Sequence, residues 1–375
     1  MRRSPDEPFT SELVRNKRVI VCCGAGGVGK TTTAAAIGLA AAMTGRRVLV
    51  LTIDPARRLA EAMSIPAGGA KPARVPAALL SGGGELSAWM LDPRVVFEGM
   101  VRRMSDSPER ADRALSNKLY LALRDLIGGM QEYTAAEALH MFHVSGDYDL
   151  VVLDTPPSRN ALEFLEAPRK LALFLDEKII GVFLPHGGGG AGGLFWSRAR
   201  GLVTSVFDRI FGEGFMGDLG AFLGGFSGMF SAMREHAESV RALLTGESAS
   251  FLVVTSPDPA ARTEARFLED KLREMHLPFA GYVLNRSWAY TRGLTPPDTA
   301  GAPQTPDTAS ALRKLEALAA HESALAARDR DILQALKNGG QSEATATPHL
   351  GAAIEDFAGL TMLAEGLLDA HPDRD

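Results

Sequence analysis

Cysteine is almost absent from this chain. Two occur in 375 residues, and they are neighbours, Cys22 and Cys23. Adjacent residues on a strand point to opposite faces, so the pair is badly placed for a disulfide or a shared metal. No disulfide framework and no zinc-ligand spacing exists, which fits a reducing cytoplasm. A surplus of one charge is missing as well. The 40 Lys and Arg against 45 Asp and Glu leave a net charge of −5, so no general affinity for nucleic acid is expected. Long apolar runs are also lacking. The uncharged stretch Leu219 to Met233 is too short to span a bilayer and is broken by glycines. The start, Met1-Arg-Arg-Ser-Pro-Asp-Glu-Pro, has no apolar segment of signal-peptide type. What remains, 46% apolar and 23% charged residues, is the balance of an ordinary globular chain, and a cytoplasmic location is expected.

What the sequence does have is glycine at one decisive place. Val19-Ile-Val-Cys-Cys23 reads as a short buried strand, and an alanine-rich run up to Met43 reads as a helix. Between them stands Gly24-Ala25-Gly26-Gly27-Val28-Gly29-Lys30-Thr31-Thr32, which fits the phosphate-binding pattern G-x-x-x-x-G-K-[ST]. Glycines let consecutive backbone N–H groups face an anion, and the positive end of the following helix points the same way. Lys30 is placed to reach the terminal phosphates, and the Thr31 hydroxyl to hold Mg²⁺. Gly24-x-Gly26-x-x-Gly29 also fits a dinucleotide fingerprint, with Asp54 as the ribose contact. That alternative leaves Lys30 and Thr31 without work and Asp154 unexplained.

Further strands are read at Arg47 to Ile53, Leu86 to Leu91, Tyr148 to Leu153, Phe251 to Ser256 and Phe279 to Asn285. Helical spacing follows Pro93 to about Ser145, Ser158 to Ile180, Asp258 to His276, Ala311 to Leu336 and the tail to about Leu368. Strands that are continuous apolar runs and alternate with helices predict an α/β fold: a doubly wound, mostly parallel sheet. Residues 1–16 read as a polar lead-in. Residues 17–375 read as one P-loop domain with helical insertions at about 93–145 and about 181–241. In such a sheet, ligands bind at the carboxyl ends of the strands, where Gly24, Asp54, Asp154 and Asn285 all fall. Asp154 suits a magnesium-site acid, Asp54 a carboxylate that orients the attacking water, and Asn285 an adenine edge. Helix capping for Asp54 and Asp154, and a turn role for Asn285, are the plainer alternatives. There is no N-K-x-D guanine-reading element, so ATP is favoured over GTP.

At these residues the chain resembles the ArsA-type P-loop ATPases, of the wider MinD and nitrogenase iron-protein group with its deviant Walker A loop. That family includes arsenite-pump ATPases and the ATPases that guide tail-anchored membrane proteins. Asp54-Pro-Ala-Arg-Arg-Leu is similar to its switch I and Asp154-Thr-Pro-Pro-Ser to its switch II. Val283-Leu-Asn285 resembles the strand that contacts adenine, and Thr347-Pro348-His349-Leu350 the loop that covers it. The resemblance implies Mg²⁺ and ATP as ligands, with Asp54 and Lys30 as catalytic residues. It implies a dimer, of two copies or with a second ArsA-type subunit. Pro156-Pro-Ser-Arg-Asn-Ala-Leu and Gln131-Glu-Tyr-Thr-Ala are similar to bacterial two-subunit members. Two departures stand out. The family's signature lysine, second in the loop, is Ala25 here, which implies slow hydrolysis or a charge supplied by a partner. The family's arsenite-binding cysteines and its C-x-x-C zinc clasp are missing, so arsenite transport and zinc are not expected.

Residues 194–233 hold Phe195, Phe207, Phe211, Phe215, Phe222, Phe226 and Phe230, many three or four apart as on one helical face. Glycines between 212 and 228 make such a helix marginal unless something packs on it. An apolar helical client or membrane-protein partner, a self-packed subdomain or dimer surface, and peripheral contact with a membrane all fit this pattern.

Overall fold

The computed structural model describes residues 8–52, 60, 63, 65–66, 69–105, 107–116, 131–156, 235–236, 238–291, 305–337, 341–351 and 356–368. Asp54, the switch segment from Pro157 onward and residues 157–234, with their expected helix, glycine tract and phenylalanine pattern, lie outside the described residues.

The chain divides into two compact units. The first comprises residues 1–90, 145–161 and 243–375, and the second residues 91–144 and 162–242. The first holds the sheet. Its strands are β1 (Val19–Gly24), β2 (Arg47–Thr52), β3 (Ala73–Arg74), β4 (Glu85–Met90), β5 (Leu150–Asp154), β6 (Ala249–Thr255), β7 (Phe279–Ser287) and β8 (Ala344–Pro348). They lie in the order β3-β4-β2-β5-β1-β6-β7-β8. All neighbours pair in parallel except β3 with β4. β1 is therefore central, with later strands added on both sides, and the crevice at that reversal is where such sheets bind ligands.

The helices of this unit are α1 (Phe9–Asn16), α2 (Lys30–Met43), α6 (Pro259–Glu274), α7 (Pro306–Lys337) and α8 (Phe357–Leu368); α3 (Pro93–Met104), α4 (Pro108–Leu115) and most of α5 (Gln131–Ser145) belong to the second. α2 is buried almost all round, and its alanines, Ala34 to Ala36 and Ala40 to Ala42, are fully enclosed. Small side chains let the helix lie close to the sheet, where it packs with Ile20, Val48, Val50 and Leu252. Each large apolar side chain enclosed this way contributes roughly 1.5–3 kcal/mol. α6 begins where the sequence signals a start: the Asp258 carboxylate accepts from the amides of Ala260 and Ala261, and Pro259 takes the first turn.

Three stretches differ from the sequence reading. Within the presumed polar lead-in, Phe9–Asn16 is a helix that buries Phe9, Leu13 and Val14. Its polar residues are spent on another helix end: the Thr10 hydroxyl donates to the Leu367 carbonyl at 2.5 Å and the Ser11 hydroxyl to that of Leu368 at 2.7 Å. α7 starts at Pro306, ahead of its first leucine stripe, where the Thr305 hydroxyl accepts from the Thr308 amide. Finally, Thr347 and Pro348, read as part of a loop, end the edge strand Ala344–Pro348 beside β7. Its alternating alanine and threonine carry none of the apolar weight that marks the other strands. Among the described residues no helix is long and apolar enough to cross a membrane.

Candidate functional site

The glycine-rich turn leaves the end of β1 and enters α2. Gly24 has φ +157°, and a Cβ there would run into the Val254 carbonyl on neighbouring β6. Gly29, just before α2, has φ +91°, and a Cβ there would strike the Asn285 amide. Both positions require glycine for reasons of space as well as backbone conformation. Gly26 and Gly27 are exposed, so the turn is open to solvent at its crest. Lys30 is only 8% exposed, and its Nζ donates to the Ala25 carbonyl at 2.9 Å. The ammonium group thus folds back across its own turn.

Asp154 ends β5 and is 1% exposed. Register puts it beside Cys22 on one side and Thr52 on the other. Its Oδ2 accepts from the Thr31 hydroxyl at 2.6 Å and from the Thr52 hydroxyl at 2.9 Å. The first turn of α2 and the ends of two strands therefore meet on one carboxylate oxygen. Hydroxyl and carboxylate oxygens are the donors Mg²⁺ takes, with phosphate and water completing six positions. The donor set beside the glycine turn fits that ion, and Thr31 and Asp154 are the residues that would hold it. Thr155 follows, anchored by its hydroxyl to the Cys22 carbonyl at 2.9 Å.

The two cysteines take no part as thiolates. Burial, reinforced by the charge of Asp154, pushes the Cys22 thiol well above its ordinary value. Burial likewise pushes Cys23 up to about 12. Both thiols therefore favour the protonated form, as buried cysteines in apolar surroundings do.

Asn285 reaches the turn from β7. Its Nδ2 donates to the Val28 carbonyl at 2.8 Å, and its Oδ1 accepts from the Thr347 hydroxyl of β8 at 2.7 Å. A side-chain amide has two donors and two acceptor sites, so these bonds use half of its capacity. Pro348 closes β8, and the His349 amide donates to the Ser287 carbonyl at 3.0 Å. The His349 ring stacks on Trp288, with centroids 5.0 Å apart and planes 18° from parallel. Trp288 is held in turn by its amide, which donates to buried Asp329 of α7 at 2.8 Å. Sequence reading missed Thr52, Trp288 and Asp329, and it named Thr347 only as part of the loop over adenine, not as the partner of Asn285. Thr52 alone had a signal, as the last residue of a buried strand next to Asp54's segment. Of the residues it did name, Thr31 bonds to Asp154, Lys30 to Ala25, and Asn285 to Val28.

Residues 17–182 match the family model described as anion-transporting ATPase, ArsA_ATPase. That segment contains the glycine turn, β2 and the Asp154 strand end. Over this segment the chain is similar to the ArsA ATPases. Among relatives, the ATPase GET3 of Chaetomium globosum is 33% identical over 168 residues, 44% of this chain and 47% of that protein. The putative arsenical pump-driving ATPase 1 of Aquifex aeolicus is 26% identical over 164 residues, 43% of this chain and 40% of that protein. The ArsA match thus spans about half the length of the relatives, or somewhat less. β6 to β8, with Asn285, Pro348 and His349, lie beyond the family segment.

Proposed function

We propose that the chain binds Mg²⁺ and ATP at Gly24–Thr32 and hydrolyses ATP as a dimeric, nucleotide-driven switch. The observation that carries this reading is the 2.6 Å bond between Thr31 and Asp154 beside a turn that tolerates only glycine at two points. Amides of the turn bind the phosphates, and Lys30 exchanges the Ala25 carbonyl for their terminal oxygens. Magnesium, when bound, neutralises charge that develops on those oxygens. Asp54 orients the attacking water, and Thr155, tied to β1, passes loss of the last phosphate to Pro156 and Pro157. The remaining donor and acceptor of Asn285 meet the adenine edge, with Pro348 and His349 beside it.

Single-turnover hydrolysis tests the reading. The Asp54→Asn variant is expected to bind ATP normally and to lose turnover by about 100-fold or more. Equal turnover in the two proteins would remove Asp54 from the chemistry. One observation favours a second reading, a nucleotide sensor with little hydrolysis: Ala25 stands where the family carries its signature lysine. In that case the wild-type chain binds ATP but shows no burst of product alone.

We further propose that residues 194–233 receive an apolar helix of a client or membrane-protein partner in the cytoplasm. The spacing of their phenylalanines supports this. A labelled apolar helical peptide is expected to bind the wild-type chain and to bind F222E/F226E at least about 10-fold more weakly, as two lost apolar anchors imply. Equal affinity would eliminate this reading.

A further inference from the structure

The second compact unit carries a polar cluster for which the nucleotide chemistry has no use. Glu137 and His140 lie one turn apart on α5 and so share a face. His236, 99 residues after Glu137, places its Nδ1 2.9 Å from Glu137 Oε2. The imidazoles of His140 and His236 stack, with centroids 3.9 Å apart and planes 22° from parallel. The Glu137 side chain is 2% exposed, and its other oxygen, Oε1, accepts from Arg103 of α3 at 3.2 Å. One ligand atom from each of Glu137, His140 and His236 can be chosen so that all lie within 4.8 Å of one another.

This is more than a packed ion pair. Two stacked imidazoles repel when both are charged. A neutral imidazole keeps a lone pair on one nitrogen. A second imidazole and a buried carboxylate stand beside it. Borderline divalent cations take this donor set, with bonds of about 2.0–2.2 Å. Ligand atoms around a tetrahedral ion of that size are roughly 3.4 Å apart, inside the spread seen here. Arg103 occupies Oε1 and leaves Oε2 to the ligand side, as outer partners orient ligating carboxylates in metal sites.

We propose that Glu137, His140 and His236 bind one divalent transition-metal cation of the zinc class, with water completing its coordination. The ion joins α5 to residue 236, and these two positions bracket residues 157–234 in the sequence. The site is independent of the ATPase reading: its residues belong to the second unit and the glycine turn to the first.

The test uses the tag-free full chain, stripped with a chelator and titrated with Co²⁺, then with Zn²⁺. One equivalent of Co²⁺ is expected to give the visible absorption bands of a low-coordinate histidine site, and Zn²⁺ to bleach them. H140A, H236A and E137Q are each expected to abolish the bands. H321A, an exposed histidine of α7, is expected to leave them at one equivalent. Where a ligand variant does not fold, diethylpyrocarbonate modification of the wild-type chain replaces it, with Zn²⁺ protecting His140 and His236 selectively. Absence of bands in the wild type, bands that survive all three substitutions, or equal modification of both histidines with and without Zn²⁺ would overturn the proposal.

Discussion

Replacing Lys30 with alanine is expected to lower ATP turnover by about 1,000-fold and to weaken nucleotide binding by about 10- to 100-fold. The first figure is the scale for removing one preorganised charge from a phosphoryl-transfer site. The second is that of one charge-assisted hydrogen bond, about 1.5–3 kcal/mol. In the structure Nζ donates to the turn's own Ala25 carbonyl, and a melting temperature measured for Lys30→Ala separates lost chemistry from lost folding. Arginine is not expected to rescue activity. Its planar guanidinium is larger than the ammonium it replaces, and Lys30 is almost wholly enclosed. Turnover measured with a coupled phosphate assay, alongside binding of a fluorescent ADP, checks both figures. Unchanged turnover in Lys30→Ala would mean that the glycine turn is not the hydrolytic site.

Converting Asp154 to asparagine is expected to cost a further class of function, the dependence on magnesium. Asparagine keeps the shape of the side chain, and its carbonyl oxygen still accepts from Thr31 and Thr52. What disappears is the negative charge. Turnover at saturating magnesium should fall by about 100- to 1,000-fold, and addition of magnesium should no longer strengthen nucleotide binding. Asp154→Ala makes the useful contrast, because it also removes the acceptor shared by two hydroxyls. It should lower the melting temperature as well, whereas the asparagine variant should melt close to the wild type. A magnesium response that survives in Asp154→Asn would assign the ion to other residues.

The sequence disclosed the centre of this fold better than its edges. β1, β2, β5 and β6 are β-branched, apolar and enclosed on both faces, so burial wrote itself into composition. β8 sits at the rim, pairs on one side only and needs no large side chains, so the composition of Ala344 to Pro348 does not announce a strand. α1 was missed because three apolar residues in eight suffice to seat it. Among site residues, a motif revealed Lys30 and Thr31, since backbone geometry forces neighbours in sequence to cooperate. Asn285 was found as a strand end, but not its grip on Val28, 257 positions earlier. The expectation of no zinc rested on a missing C-x-x-C pair, and it had no purchase on Glu137, His140 and His236. Those three come together only when segments 99 residues apart do.

The bonds from Thr10 and Ser11 to the last turn of α8 bear on how the molecule is made. α8 lies along the helix that follows the glycine turn, and Leu360, Leu363 and Leu367 close the core there. The ribosome delivers the wall behind Lys30 some 330 residues after Lys30 itself. At about 5–20 residues per second, that wait is tens of seconds. Through it, α2 and the alanines meant for α8 have no final partner, and nucleotide cannot yet find a finished cradle. Competence to bind therefore arrives late in synthesis and all at once, when residue 368 has emerged.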